Sequence, residues 1–252
     1  MSTTLIFLAL KAGLLLITLN ALGALFILFV KGVSQRSLDI SLGFASGVMI
    51  TASFTSLILP GINRGGLIPV LIGITLGSTI MTLADRIVPH MHRIIGLEGV
   101  GTEHIRVLWL LVMAMTLHNI PEGLAVGVAF GSGEISKALA LAIAIGLQNI
   151  PEGLSISFSA FSMKGVSKGQ AFMISVLSGV VELPLSLLGV ITVSLVEPVI
   201  PYAMGFAAGA MIFVVSDEMI PETHRAGHER LASYGLIIGL MVMLILDILL
   251  GA

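Results

Sequence analysis

The sequence predicts an all-α integral membrane protein, with eight transmembrane helices in a 3+2+3 inverted-repeat arrangement, and three observations lead there. Hydrophobic residues make up 56% of the chain against 10% charged, with a mean hydropathy of +1.10 over 252 residues, a balance far outside that of soluble domains. Short polar segments divide the apolar content into eight runs, each close to the ~20 residues that a helix needs to cross a bilayer core. Finally, "GFASGVMI" at 43–50 returns as "GFAAGAMI" at 205–212.

The spans are expected near 4–30, 38–59, 67–88, 107–130, 135–160, 169–191, 198–220 and 231–250, so that 1–252 reads as a single transmembrane domain. Span one begins its apolar run at Leu5; the run is too long, and lacks the basic start, for a cleaved signal peptide. Span two carries the first glycine-rich octapeptide, and span three closes on "LADRI" with Asp85. The longest connection, 89–106, holds His90, His92 and His104. Span four contains "LHNIPEGLAVG" at 117–127 and span five "LQNIPEGLSIS" at 147–157. Span six carries Glu182 in its middle, span seven the second octapeptide, and span eight "LILDI" with Asp247.

Lys and Arg fix the orientation. Alternate connections carry Lys31 and Arg36, then Arg86, Arg93 and Arg106, then Lys164 and Lys168, then Arg225 and Arg230, whereas the others hold only Arg64 and Lys137. By the positive-inside rule the rich set is cytoplasmic, which puts both termini outside and 89–106 inside; the expected location is a cell (inner) membrane. Lys11 is the one cation left over.

The two octapeptides lie 162 residues apart on spans that cross in opposite directions, and the same offset pairs Asp85 with Asp247 and Asn20 with Glu182. Spans one to three and six to eight therefore read as an inverted repeat, with spans four and five between them on the pseudo-two-fold axis. Such an arrangement belongs to transporters, with the substrate site near the midplane. Gly and Ala also recur wherever helices pack closely, but the Asp and Asn/Glu pairings go beyond that explanation.

The absence of Cys leaves no disulfide and no thiolate ligand, and a net charge of −2 offers no basic surface for nucleic acid. The expected surroundings are the lipid bilayer. Within it, His118 and Glu122 are four residues apart and share a helix face, as do Gln148 and Glu152. Pro121 and Pro151 each remove an amide donor and free a carbonyl in the preceding turn, which suits only a protein-lined or water-lined site. Each intramembrane carboxylate costs roughly 2.5–3.5 kcal/mol on insertion scales. No Lys or Arg lies mid-span to neutralise Glu122, Glu152 and Glu182. A cation must supply the charge.

Protonated acids acting as hydrogen-bonding glue are the plain alternative, but three Glu with His118, Gln148, Asn119 and Asn149 at one depth fit it poorly. Imidazole, carboxylate and amide together suit zinc, iron, manganese or cadmium better than copper(I) or magnesium. One divalent ion against three carboxylates leaves −1 and two leave +1, so a two-metal site and a metal with a proton both stay open. At the inner end of span seven, Asp217, Glu218, Glu222 and His224 read equally as an exit relay or a solvated helix end. Asp85 beside Arg86 reads as a local salt bridge. The loop histidines read as metal-collecting or as ordinary surface residues.

Three functions compete. A metal carrier leads. An intramembrane zinc-dependent hydrolase is the alternative, because His-x-x-x-Glu resembles half a metalloprotease site, but it needs three ligands, an open water position and a separate base. A metal sensor would carry an added soluble domain. The duplicated motif on opposed helices favours transport, since it makes a site reachable from either side in turn.

At "HNIPEG" and "QNIPEG" the chain resembles the ZIP (Zrt/Irt-like) family of divalent metal transporters, most closely its GufA-type prokaryotic branch, and the resemblance extends over all eight spans. It implies a homodimer, not an enzyme and without a prosthetic group, that carries zinc and related divalent ions toward the cytoplasm. It further implies a first metal position at His118, Glu122, Gln148 and Glu152. A second is implied at Asn119, Glu122, Asn149, Glu152 and Glu182, with Glu122 and Glu152 bridging. Many members have a second His where this chain has Gln148, a neutral and weaker donor.

Overall fold

The computed structural model describes residues 3–30, 32, 34–87, 102–163 and 165–250, the side chains of 85–87 and 102–115 excepted. Every regular element among them is helical. Seven segments are long and apolar enough to cross a membrane: Thr3–Phe29, Gln35–Gly65, Leu67–Ala84, Ile135–Ser162, Lys168–Leu195, Glu197–Thr223 and Glu229–Leu250. Span four is the helix Thr102–Gly131, most of whose first half lies outside the described side chains. His90 and His92 lie outside the described residues, as do the side chains of Asp85, Arg86 and His104.

Local chemistry sets the helix ends. Ser34 caps span two by accepting a bond from the Ser37 amide at 3.2 Å, and Ser167 with Gln170 forms a reciprocal capping box at the start of span six. Gly66 joins spans two and three as a single residue at φ 85°, a conformation that side chains with a Cβ resist. Several helices extend past their expected ends, because polar residues such as Arg64 and Glu222 continue a helix beyond the hydrocarbon.

Three spans are less regular than expected. Span two is α-helical over Gln35–Ala52, π-helical over Ser53–Ile58 and α-helical again over Leu59–Gly65. Span seven follows the 3-10 turn Glu197–Val199 with Ile200–Val214, a π-helix at Val215–Met219, then Ile220–Thr223. In each, the residue after the π segment reaches back five positions, Leu59 to the Phe54 carbonyl and Ile220 to that of Val215. The next residue is a proline, Pro60 or Pro221, which has no amide to continue the ladder. Span six is not one helix but two, Lys168–Gly179 and Glu182–Leu195, interrupted at Val180 and Val181. Pro184 cannot donate to the Val180 carbonyl, so the interruption falls immediately before Glu182.

Glycines decide which helices approach. Gly43 and Gly47 of span two abut backbone of span eight, and Gly235 and Gly239 of span eight abut backbone of span two; Gly73 and Gly77 of span three and Gly205 and Gly209 of span seven do the same to each other's helices. These contacts recur at the 162-residue offset, as do the starts of the two π segments at Ser53 and Val215. Span one packs on span five through Gly23 and Gly153, and span four on span six through Gly123 and Gly127. The result is two helix groups, spans one, four, five and six, and spans two, three, seven and eight. They meet where two crosses five, four crosses seven and eight touches five, over small buried residues such as Ala52, Ala125, Ala142 and Ala208.

The connections separate onto two faces. On one, Arg64 bonds the Ser132 carbonyl; on the other, Lys168 bonds the Val30 carbonyl at 2.7 Å, and Asp39 accepts from His228 Nδ1 at 2.8 Å. Asp39, at 2% exposure, also accepts from Gln35 and ties spans two and eight together, a role its sequence position does not announce.

A methyl group on Gly47 would stand 2.0 Å from the Leu236 carbonyl oxygen. Gly47→Ala should therefore separate spans two and eight and destabilise the protein by about 1–3 kcal/mol in reversible unfolding from mixed micelles. Gly169→Ala, which meets nothing within 4 Å, should be neutral or mildly stabilising. Equal behaviour of the two variants would remove glycine contact as the determinant of this pair.

Candidate metal site

Spans four, five and six bring their polar residues to one level in the interior. His118 and Glu152 are 3% exposed; Asn119, Glu122, Gln148, Asn149 and Glu182 are fully buried. The helices run unbroken through Pro121 and Pro151, so the loosened turns expected there do not interrupt them. The interruption lies instead in span six, where it sets Glu182 at the first position of the second half-helix. The two NIPEG glycines serve as the floor of the cluster: Gly123 abuts the backbone of Glu182, and Gly153 abuts that of Asn20.

Amides hold two of the three carboxylates. Gln148 donates from Nε2 to Glu122 Oε1 in a short hydrogen bond. Asn149 donates from Nδ2 to both Glu182 oxygens, at 2.9 and 3.0 Å. Glu152 sits within electrostatic reach of His118, Glu122 and Glu182. Neither of its oxygens has a hydrogen-bond partner. Asn119 is likewise unpartnered at both amide atoms, as are His118 Nε2, Glu122 Oε2, Gln148 Oε1 and Asn149 Oδ1.

A buried polar atom left unpaired costs about 1–3 kcal/mol, and eight of them at one level is a concentration that packing alone does not explain. All but the Asn119 nitrogen are able to present a lone pair. Among the described residues, no three His, Asp or Glu side chains are arranged to hold a metal by themselves. The amide oxygens of Asn119, Gln148 and Asn149 are the other side-chain donors at this level. The donor set is one imidazole, three carboxylates and three amides, without sulfur.

The residues of span seven divide. Glu218, 18% exposed at its side chain, lies 3.3 Å from His118 Nδ1 and so touches the cluster. Glu222 pairs with Arg225 at 2.9 Å on the surface, and His224 bonds the Ile220 carbonyl at 2.7 Å on its own helix. Sequence position alone does not separate these three; the π segment does, because Glu218 lies within it. Asn20 is fully buried beside Gly153 and accepts from Ser175 Oγ at 3.1 Å, one helical turn beyond Leu16, whose carbonyl Asn149 approaches at 3.4 Å. Asp247 lies apart, against Ser56 Oγ at 3.4 Å.

Residues 97–247 match the family model described as ZIP Zinc transporter. The chain is 42% identical over 241 residues to zinc transporter ZIPB of Bordetella bronchiseptica, covering 92% of this chain and 78% of that protein. It is 39% identical over 251 residues to zinc transporter GufA of Myxococcus xanthus, covering 96% and 98%. Human zinc transporter ZIP11 is 34% identical over 323 residues, covering 92% and 94%.

Asn149→Ala leaves both Glu182 oxygens without the amide that now meets them. A double-mutant cycle of Asn149→Ala with Glu182→Gln, read from unfolding free energies, should give a coupling of about 1–3 kcal/mol. Additive effects would mean that the two side chains do not bond in the folded protein.

Proposed function

The chain belongs to the ZIP family and is a zinc transporter of its GufA-type prokaryotic branch, and from that premise we propose that zinc crosses through the buried cluster on spans four, five and six. The single observation that carries this reading is the set of unpartnered lone-pair donors at one depth, on His118, Asn119, Glu122, Gln148, Asn149 and Glu152. The proposed first position uses His118, Glu122, Gln148 and Glu152. The second uses Asn119, Glu122, Asn149, Glu152 and Glu182, with Glu122 and Glu152 shared. Two divalent ions against three carboxylates and neutral amides leave a residual charge of +1, smaller in effect than the −3 of the empty carboxylates. Iron, manganese and cadmium suit the same donors. The hydrolase alternative is dropped, since the relatives are named zinc transporters.

We further propose the 3+2+3 inverted repeat as the architecture that opens this site to each side. The matched glycine contacts and the π segments at the 162-residue offset support it, as does the flanking of the central pair by Asn20 against Gly153 and Glu182 against Gly123. The division into two helix groups, glycine-packed within and alanine-lined between, supports a sliding of one group past the other as the motion. Glu218, already against His118, is the proposed first stop on the way to the cytoplasm. Lys and Arg counts support a cell (inner) membrane setting with both termini outside. Spans three and eight, the least buried of those measured at 22% and 17%, offer apolar faces for a homodimer.

In proteoliposomes, Glu122→Ala and Glu152→Ala should each abolish zinc flux while the protein still inserts, because each glutamate bridges both ions. Full flux in either variant sinks the site. Glu182→Gln should lower the metal bound per purified chain and reduce flux without ending it. Undiminished stoichiometry there would remove Glu182 from the second position. Gln148→His should tighten zinc binding, imidazole nitrogen being the better ligand; unchanged affinity would show that Gln148 does not coordinate.

A further inference from the structure

Arg64 stands where the two helix groups meet at the face that carries the 2–3, 4–5 and 6–7 connections. It sits in the last turn of span two, Nη1 donating to the Ser132 carbonyl at 2.6 Å and Nη2 lying 3.4 Å from Glu197 Oε1. Ser132 follows the last residue of the span-four helix, so its carbonyl belongs to the negative end of that helix and the bond is charge-assisted. Arg64 thus ties the end of span four, in the other group, to its own group, while Glu197 at the start of span seven steadies the guanidinium from its own side.

At Ser132 a shallow hollow lies between the groups. Ser56, Pro60 and Met204 line it from one group, and Ala129, Ser132 and Ala138 from the other. It has no room for a water molecule. Farther in, the seam is filled by Leu57, Ala208 and Leu141, all fully buried. Among the described residues, a hydrated divalent ion has no passage at this seam while the groups sit as they do. For a passage to form, spans two and seven must part from spans four and five at the hollow, and the Arg64 bond to Ser132 must break. The guanidinium adds a second obstacle, since a fixed positive charge above the mouth repels an approaching cation. Its withdrawal would leave the Ser132 carbonyl at the opening beside the mutually paired Lys137 and Glu134, which also line it.

We propose that Arg64 is a latch that holds the outer mouth of the transport path shut, releasing when the two helix groups separate there. The inference rests on the transport reading and its outer-face assignment. Its test does not depend on flux.

The chain has no Cys, so a single one is a clean reporter. Ala138, fully buried and lining the hollow, is replaced by Cys, and the rate of labelling by a membrane-impermeant thiol reagent added outside is measured in cells. Adding Arg64→Ala should raise that rate about fivefold or more, the factor that follows from losing roughly 1 kcal/mol of closed-state preference. Arg64→Lys, which places one ammonium where the fork met both partners, should fall between. A Cys at Ser157, buried near the opposite face, should be unaffected. Equal labelling of Ala138→Cys with and without Arg64, at equal amounts of inserted protein, overturns the latch. So does a rise at Ser157→Cys of the same size, which would mean general loosening. Persisting zinc flux in Glu122→Ala would strike the transport site and leave the labelling result standing, so the two failures are distinguishable.

Discussion

Three carboxylates buried in a membrane protein without a Lys or Arg beside them are the constraint from which the rest follows. Glu122, Glu152 and Glu182 make no ion pair with Lys or Arg among the described residues, and each is at most 3% exposed. Such groups persist only where something else meets their charge. In this protein amides from the neighbouring helix do so for two of them, Gln148 for Glu122 and Asn149 for Glu182. Glu152 has no such partner. The amide bonds are neutral, so they orient the carboxylates without cancelling them. On the proposed reading, a cation that accepts nitrogen and oxygen together supplies the charge that the amides do not.

The packing is what makes this interior possible. Gly123 lets span four come into backbone contact with Glu182, and Gly153 lets span five do the same with Asn20, so the helices that carry the polar residues close around one level. The interruption before Glu182 turns its helix end into the cluster, where the first amides of a half-helix add a favourable field for a carboxylate. The other flank has Asn20 in the corresponding place, a neutral group held by Ser175. The asymmetry matters. On the proposed two-ion reading, a fourth carboxylate there would bring the interior charge to a value that two divalent ions only just balance.

Much of this is legible in the sequence because the membrane restricts the choices. Eight apolar runs become helices since nothing else satisfies the backbone in lipid, and the glutamates stand out because they have no reason to be there otherwise. Burial of all seven proposed ligands follows from their depth in the runs. What was not legible depends on details that no short-range pattern encodes. The π segments at Ser53–Ile58 and Val215–Met219 hinge on how a ladder adjusts ahead of a proline, and Pro121 and Pro151 sit in unbroken helix by contrast. The break in span six had a signal, Pro184 two residues beyond Glu182, that its apolar surroundings masked. The contact of Glu218 with His118 and of Asp39 with His228 joins residues 100 and 189 positions apart, which only the assembled helices bring together.

The claim at the centre is that zinc is held by imidazole, carboxylate and amide in the interior. X-ray absorption at the zinc edge, on purified protein loaded with zinc in lipid, addresses it directly. The account predicts a first shell of nitrogen and oxygen at about 2.0–2.2 Å, without sulfur, and with the outer-shell scattering of a single imidazole that disappears in His118→Ala. A shell rich in imidazole that persists in His118→Ala, or a fully hydrated ion with oxygen alone, would contradict it.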